Sequence, residues 1–113
     1  MTQETIDTVL KFRDDRNWRQ FHNPKDLTIS LNLEAAELLE VFQWSGTDLE
    51  CREKMDKIRE ELADVVSYSI LLADACGLDL DEIVREKMRR NAEKYPVALA
   101  YGNKAKYTEL KEK

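Results

Sequence analysis

The sequence predicts an all-α, four-helix bundle-like fold, and three observations support this. Its 113 residues include only two prolines and three glycines, too few for the many turns of an all-β protein. Apolar residues recur at spacings of 3, 4 and 7, as they do on the buried face of a helix. Capping residues and helix stops divide the chain into four such segments with short connections, and this pattern favours a bundle.

The first helix is predicted over residues 3–16, because Ile6, Val9 and Leu10 share one apolar face. An aromatic loop follows over residues 17–24, with the sequence NWRQFHNP. This loop interrupts the helical pattern and separates the first helix from the second.

The second helix is predicted from about Pro24 to Trp44. Asn23 or Asp26 can supply its N-terminal cap, and proline is tolerated in the first turn of a helix. Ser45 and Gly46 then provide the stop.

The third helical segment is predicted to open with a capping box, Thr47-Asp48-Leu49-Glu50, and to continue to Cys76. Gly77 supplies its C-terminal stop. Because such a segment would be long for a globular helix, we expect one break near residues 51–54.

The fourth helix is predicted between Asp79, its cap, and Tyr95, with Pro96 as the stop. The tail over residues 96–113 ends in alternating lysine and glutamate, and we expect it to be partly irregular. No repeat or linker divides the chain, so residues 1–113 are predicted to form a single domain.

The charge balance excludes several classes of partner. Eighteen basic against 23 acidic residues give a net charge of −5, so no surface for polymeric nucleic acid is indicated. No uncharged run approaches the ~18 residues of a membrane span, and the first residues show no targeting pattern. Cys51 and Cys76 occur with a single histidine and no CxxC motif, so neither a zinc site nor a disulfide is signalled. We expect a cytoplasmic protein without membrane or nucleic-acid partners.

The second helix carries a glutamate on its apolar stripe. Leu27, Leu38 and Val41 define this stripe, and Glu34 lies in its middle. Glu37 follows one turn along and somewhat to the side. A carboxylate in such a position needs a special partner.

The third helix repeats this pattern. Residues 62–78 contain only two charged side chains, Asp64 and Asp74, and such a helix should be central in the fold. Glu61 and Asp64 are three residues apart and Tyr68 follows four residues later, so all three project from one side.

Four carboxylates on core-facing positions indicate a bound cation. Two unit charges about 6 Å apart repel by roughly 3 kcal/mol at an effective dielectric of 20. Oxygen ligands without histidine or cysteine suit Mg²⁺, with Mn²⁺ as a possible substitute. The alternative is that these acids lie on helix surfaces and pair with lysines or arginines.

The two acidic pairs also carry a family resemblance. Glu34-x-x-Glu37, a spacer of 23 residues and Glu61-x-x-Asp64 resemble the metal-binding signature of the MazG-like all-α nucleoside triphosphate pyrophosphohydrolases, within which the chain looks most like the small dCTP pyrophosphatases. The resemblance extends through four further blocks, at residues 17–22, 42–44, 61–68 and 94–96.

The resemblance implies a reaction and a set of site residues. It implies Mg²⁺-dependent hydrolysis of a deoxynucleoside triphosphate, with dCTP-like substrates favoured, to the monophosphate and pyrophosphate. Metal ligands would be Glu34, Glu37, Glu61 and Asp64, and we assign the catalytic role to Glu37 and Glu61. The family also forms dimers or tetramers, and a chain this small would leave an apolar patch exposed as a monomer.

Substrate contacts are expected from two further groups of residues. Aromatic side chains can stack on the base, and the residues expected there are Trp18, Phe21, His22, Trp44 and Tyr68. Asn91 and Lys94 on the fourth helix are expected to contact the phosphates. The alternatives are that the rings anchor loops and that the fourth helix presents an ordinary solvated face.

Two other functional interpretations stay open at this point. A dUTP-type or phosphoribosyl-ATP pyrophosphohydrolase would share the same acids. A non-catalytic helical interaction module would use the acids as a partner-binding face.

Overall fold

The computed structural model describes residues 1–104, and within them the chain is helical and contains no strand. The all-α prediction is therefore confirmed. The α-helices are α1 (Gln3–Asp15), α2 (Pro24–Glu40), α3 (Met55–Cys76), α4 (Leu80–Lys94) and α5 (Val97–Ala100), and two short 3₁₀ helices cover Trp18–Phe21 and Arg52–Lys54.

The chain divides into two compact units, residues 1–78 and the residues from 79 onward. In the first unit α3 is central, because α2 packs along it and α1 packs against it as well. The core of this unit consists of buried apolar side chains that include Leu27, Val41, Ile70 and Leu71. The second unit contains α4 and α5.

A buried charge ties α1 to α3. Arg13, which is 4% exposed, donates hydrogen bonds to Asp74 on α3 at 2.6 Å and to its neighbour Asp14 at 2.8 Å. These carboxylates keep the pKa of Arg13 above its usual value, hydrogen bonding to Asp14 contributing most, despite burial.

Most predicted helix ends agree with the structure. The side chain of Asn23 caps α2 by accepting from the Asp26 amide, with Pro24 as the first helical residue. Asp79 caps α4 through the Glu82 amide. Gly77 ends α3 with a φ of +67°, a left-handed conformation that glycine adopts at little cost.

The segment between α2 and α3 differs from the prediction. α2 ends at Glu40, and the next residues continue as tighter turns: the amides of Val41, Phe42 and Gln43 each bond to the carbonyl three residues back. Trp44 therefore lies outside the helix.

The predicted capping box at residues 47–50 does not begin a helix. The Asp48 carboxylate instead accepts hydrogen bonds from the amides of Glu50 and Cys51, both at 3.1 Å, which stabilises a turn. Cys51 has a left-handed backbone, φ +47°, which fits the break expected near residues 51–54. Regular helix starts only at Met55.

In the described part of the predicted tail, residues 97–100 form the short helix α5. Residues 105–113 of that predicted tail lie outside the described residues. Among the described helices, none has the length and apolarity needed to cross a bilayer. Cys51 and Cys76 are both free thiols.

Candidate functional site

Three of the predicted acids meet where α2 packs on α3. Glu34 on α2 and Glu61 and Asp64 on α3 each place one carboxylate oxygen within 4.8 Å of the other two. Glu61 is buried, and the other two are partly buried. We call these three residues the acid cluster.

The cluster follows from helical spacing and helix packing. Glu61 and Asp64 are three residues apart, so they lie on one side of α3. Glu34 lies on the apolar stripe between Leu27 in α2 and Val41 directly after α2, and both of these residues are buried. Because that stripe packs on α3, Glu34 is held against the two α3 acids.

Two oxygens of the cluster lack the partners that buried polar atoms normally have. Glu34 Oε2 and Glu61 Oε2 are both buried, and neither has a hydrogen-bond partner among the described residues. The other oxygen of Glu61 accepts from Lys57 Nζ at 2.8 Å. Such unsatisfied hard oxygens fit a divalent cation of the Mg²⁺ or Mn²⁺ type.

Glu37 lies beside the acid cluster and is exposed. Hydrogen bonding to Glu61, then to Glu34, together with their negative charge, raises the pKa of Glu37 to about 7. The Glu61 pKa is lowered, mainly by its hydrogen bond with Lys57 and then by that with Glu37. The Asp64 pKa is raised by burial and by the charge of Glu61. Glu37, Glu61 and Asp64 thus differ in their affinity for protons.

An aromatic cavity of about 360 Å³ opens next to Asp64. Phe12 and Trp18 form one of its walls, with their ring centroids 5.7 Å apart in an edge-to-face arrangement. The remaining lining residues are Thr8, Val9, Arg13, His22, Asp64, Ser67, Tyr68 and Leu71. We call this the aromatic cavity.

His22 gives the aromatic cavity a polar group without a partner. Its Nδ1 atom is buried and has no hydrogen-bond partner among residues 1–104. Burial and the positive charge of Arg13 lower the pKa of His22, which favours the neutral ring. A neutral imidazole can donate one hydrogen bond and accept another.

The five predicted base-binding residues are not all in one place. Trp18, His22 and Tyr68 line the aromatic cavity. Phe21 lies in the same 3₁₀ helix as Trp18 but is 62% exposed, and Trp44 lies in the turns after α2 and is 87% exposed. Neither Phe21 nor Trp44 is among the described residues that line the aromatic cavity.

The two predicted phosphate contacts lie in the second unit. Asn91 and Lys94 are three residues apart on α4, and both are partly buried. Their spacing puts them on one side of that helix, as the sequence predicted.

A second cavity, of about 570 Å³, adjoins the acid cluster at Glu61. It is lined by Glu37, Glu40, Val41, Lys54, Lys57 and Glu61, and we call it the lysine cavity. Sequence reasoning did not single out the two lysines. The signal for Lys57 was available, since it lies four residues before Glu61 and can reach the same side of α3.

Comparison with known proteins gives a consistent result. A model of the MazG-like family matches residues 29–110. The chain is 39% identical over 105 residues to dCTP pyrophosphatase 1 of Mus musculus and 42% identical over 107 residues to the Homo sapiens protein, with 88% of this chain covered in both cases. It spans 62% of the length of these curated relatives.

A solved structure of a pyrophosphatase from Archaeoglobus fulgidus is also similar, with a TM-score of 0.76 and 41% sequence identity. The similarity covers 83% of this chain and 91% of the archaeal chain.

Proposed function

Because this chain belongs to the MazG-like family, we propose that it is a nucleoside triphosphate pyrophosphohydrolase. It cleaves the bond between the α and β phosphates and releases the monophosphate and pyrophosphate. A dCTP-like substrate is favoured, since the curated relatives are named dCTP pyrophosphatase 1. Removal of unwanted deoxynucleotides from the pool is the role that we assign to the reaction.

The observation that carries this proposal is the pair of buried, unpartnered oxygens on Glu34 and Glu61, close to Asp64. We assign these three residues, with Glu37 beside them, to binding Mg²⁺, for which Mn²⁺ can substitute. Divalent ions in such sites neutralise phosphate charge and acidify water. No nucleophile from the protein is needed for the reaction.

We assign Glu37 to accept a proton from water and Glu61 to remain a negatively charged carboxylate. Glu37 is exposed beside the acid cluster, so its carboxylate can reach an attacking water and accept its proton. Glu61 stays ionised because Lys57 holds one of its oxygens, which leaves the other for the acid cluster.

The base of the substrate is assigned to the aromatic cavity. Trp18 and Tyr68 offer ring faces, and the unpartnered Nδ1 of His22 offers a polar contact. Phe21 and Trp44 stay predicted base contacts, and Asn91 and Lys94 stay predicted phosphate contacts.

The base assignment predicts different results for the two tryptophans. Trp18→Ala should weaken substrate binding by about 1 to 3 kcal/mol, the value of one base stacking on an aromatic ring. Trp44→Ala should have a smaller effect, because Trp44 is 87% exposed. KM values for dCTP measure both, and an unchanged KM in Trp18→Ala would contradict the assignment of the base to the aromatic cavity.

Self-association as a dimer or tetramer is part of the proposal. Apolar side chains on the outside of α2 and α3 are about half exposed or more, among them Leu33 at 58% and Leu62 at 50%. A second copy of this chain would cover them. Light scattering at micromolar concentration tests this, and a mass equal to one chain would contradict it.

The activity is tested by measuring pyrophosphate release from a panel of nucleotides in Mg²⁺. We expect release from dCTP, with Asp64→Asn inactive and Asp15→Asn fully active, since Asp15 is an exposed acid paired with Lys11 on α1. Preference for dUTP or phosphoribosyl-ATP would reassign the substrate. If all triphosphates stay intact and no metal binds, the chain is instead a non-catalytic interaction module.

A further inference from the structure

The lysine cavity is lined by two lysines to which the proposed function assigns no contact with the substrate. Lys54 and Lys57 lie in its wall together with three carboxylates, those of Glu37, Glu40 and Glu61. An anionic ligand at this position would meet positive charge beside the acid cluster. At about 570 Å³ the lysine cavity is larger than the aromatic cavity, which has about 360 Å³.

We propose that the lysine cavity binds the pyrophosphate end of the substrate, and then the pyrophosphate product, through the ammonium groups of Lys54 and Lys57. This inference rests on the proposed function and deepens it by assigning a subsite for the leaving group. It adds two residues to the site, Lys57 of α3 and Lys54 of the 3₁₀ helix that precedes α3.

The order of the cavities along the helix pair supports this assignment. Asp64 lines the aromatic cavity and Glu61 lines the lysine cavity, and both belong to the acid cluster. The cluster therefore lies between the two cavities. A triphosphate whose base occupies the aromatic cavity and whose α-phosphate lies at the cluster has its β and γ phosphates on the side of the lysines.

Lys54 is available for a ligand. Its Nζ atom is 3.5 Å from the carbonyl oxygen of Val41, at the limit of a weak hydrogen bond. Within residues 1–104 it has no carboxylate at ion-pairing distance. Lys54 follows the left-handed residue Cys51, whose amide is held by Asp48, and this turn directs the 3₁₀ helix past the end of α2.

Lys57 can serve Glu61 and a phosphate at once. An ammonium group has three N–H donors, and Glu61 Oε1 takes one of them at 2.8 Å. The Lys57 side chain is 56% exposed, so the other donors can reach the cavity. The three carboxylates outnumber the two lysines, but one divalent ion held by Glu61 reverses this balance and makes the cavity attractive to an anion.

The test is calorimetric titration of the protein with pyrophosphate in excess Mg²⁺. We expect Lys57→Gln and Lys54→Gln each to weaken pyrophosphate binding about tenfold, the usual effect of losing one charge-assisted hydrogen bond. Lys11→Gln is the matched control, because Lys11 forms an equivalent ion pair four residues away, with Asp15 at 2.7 Å, on the exposed face of α1. The Lys11→Gln variant should bind pyrophosphate with the affinity of the parent protein.

A second titration, with Mn²⁺ alone, separates ligand binding from support of Glu61. We expect Lys57→Gln to bind Mn²⁺ as tightly as the parent protein or more tightly, since a cation that competes for Glu61 is removed. If Lys57→Gln loses Mn²⁺ affinity while pyrophosphate affinity stays unchanged in both lysine variants, Lys57 only positions Glu61 and the proposal is overturned. The Lys54 variant keeps the test informative if Lys57→Gln is unstable.

Failure of this proposal and failure of the proposed function give different results. Pyrophosphate binding requires no turnover, so a parent protein that hydrolyses no triphosphate but binds pyrophosphate through the lysines overturns only the activity. A protein that hydrolyses dCTP while both lysine variants bind pyrophosphate normally overturns only the subsite.

Discussion

Two buried charges in the first unit, Arg13 and Glu61, differ in how their polar atoms are satisfied. Both side chains are almost fully buried, at 4% and 3% exposure. Arg13 donates to carboxylates on its own helix and on α3. Among the described residues, Glu61 has one oxygen bonded to Lys57 and the other without a partner, and Glu34 Oε2 in the same acid cluster also lacks one.

The difference separates a structural charge from a binding site. A buried ion pair with its hydrogen bonds made holds two helices together and leaves little capacity for a ligand. A buried carboxylate with a free oxygen, placed among like charges, makes the metal-free protein less stable than it could be. Burial alone therefore does not mark a functional residue, whereas burial combined with an unsatisfied acceptor does.

The largest expected effect on stability comes from replacing Arg13, the buried charge that is hydrogen-bonded to carboxylates. Arg13→Met should lower the free energy of unfolding by about 3 kcal/mol, because it leaves Asp74 partly buried and without its cation. Urea denaturation at pH 7 measures this. Arg16→Met is the control, since Arg16 is the exposed residue directly after α1 and lies over the Phe12 ring, and it should cost about 1 kcal/mol or less.

The Arg13 interpretation can be checked further with a double variant. Arg13→Met combined with Asp74→Leu removes both charges and should recover part of the lost stability, because no unpaired charge remains. If Arg13→Met alone loses no stability, the ion pair of Arg13 with Asp74 does not stabilise the packing of α1 on α3.

The unsatisfied charges should behave in the opposite way. Glu34→Gln and Asp64→Asn should leave the melting temperature in EDTA unchanged or raise it, since each removes repulsion within the acid cluster. Mg²⁺ should stabilise the parent protein by about 2.7 kcal/mol at a hundredfold excess over Kd, and the variants by less. Thermal unfolding with and without Mg²⁺ measures both effects. Variants that are destabilised in EDTA and insensitive to Mg²⁺ would indicate ordinary paired acids.

A smaller, pH-dependent effect is expected from Glu37. Its pKa is raised to about 7 in the folded protein from an ordinary value of 4.5, so the metal-free fold binds this proton more tightly than the unfolded chain does. The stabilising contribution of the proton is full below pH 4.5 and is lost as the pH rises through about 7. In EDTA, the melting temperature of the parent protein relative to Glu37→Gln should therefore fall between pH 5 and pH 8. A difference that stays constant over that range would contradict the raised pKa.

Much of the fold was predictable because helices obey local rules. Apolar spacing and the caps at Asn23 and Asp79 predicted helices close to those observed, and Gly77 marked the end of α3. The segment between α2 and α3 was not predictable in the same way. There the Asp48 side chain competes with helical hydrogen bonds, and the backbone forms tighter turns. The periodicity of apolar residues predicts neither of these features.

For the candidate site, spacing predicted which acids share a side of each helix. It also put Glu37 to the side of Glu34, but it could not predict that Glu34 lies against Glu61 and Asp64, because the contact between α2 and α3 depends on tertiary packing. The sequence could not predict that Lys54 lies at the site, since its position depends on the left-handed turn at Cys51. Arg13 and Asp74 did carry a signal, as opposite charges on two apolar helix faces.

The central claim is that the acid cluster binds a divalent cation, and calorimetric titration with Mn²⁺ at pH 7.5 tests it most directly. The parent protein and Asp15→Asn should show saturable binding of equal affinity. Glu34→Gln and Asp64→Asn should bind at least about tenfold more weakly, because each lacks a ligand of the cluster. Undiminished Mn²⁺ affinity in both variants, or no binding by the parent protein, would contradict the claim.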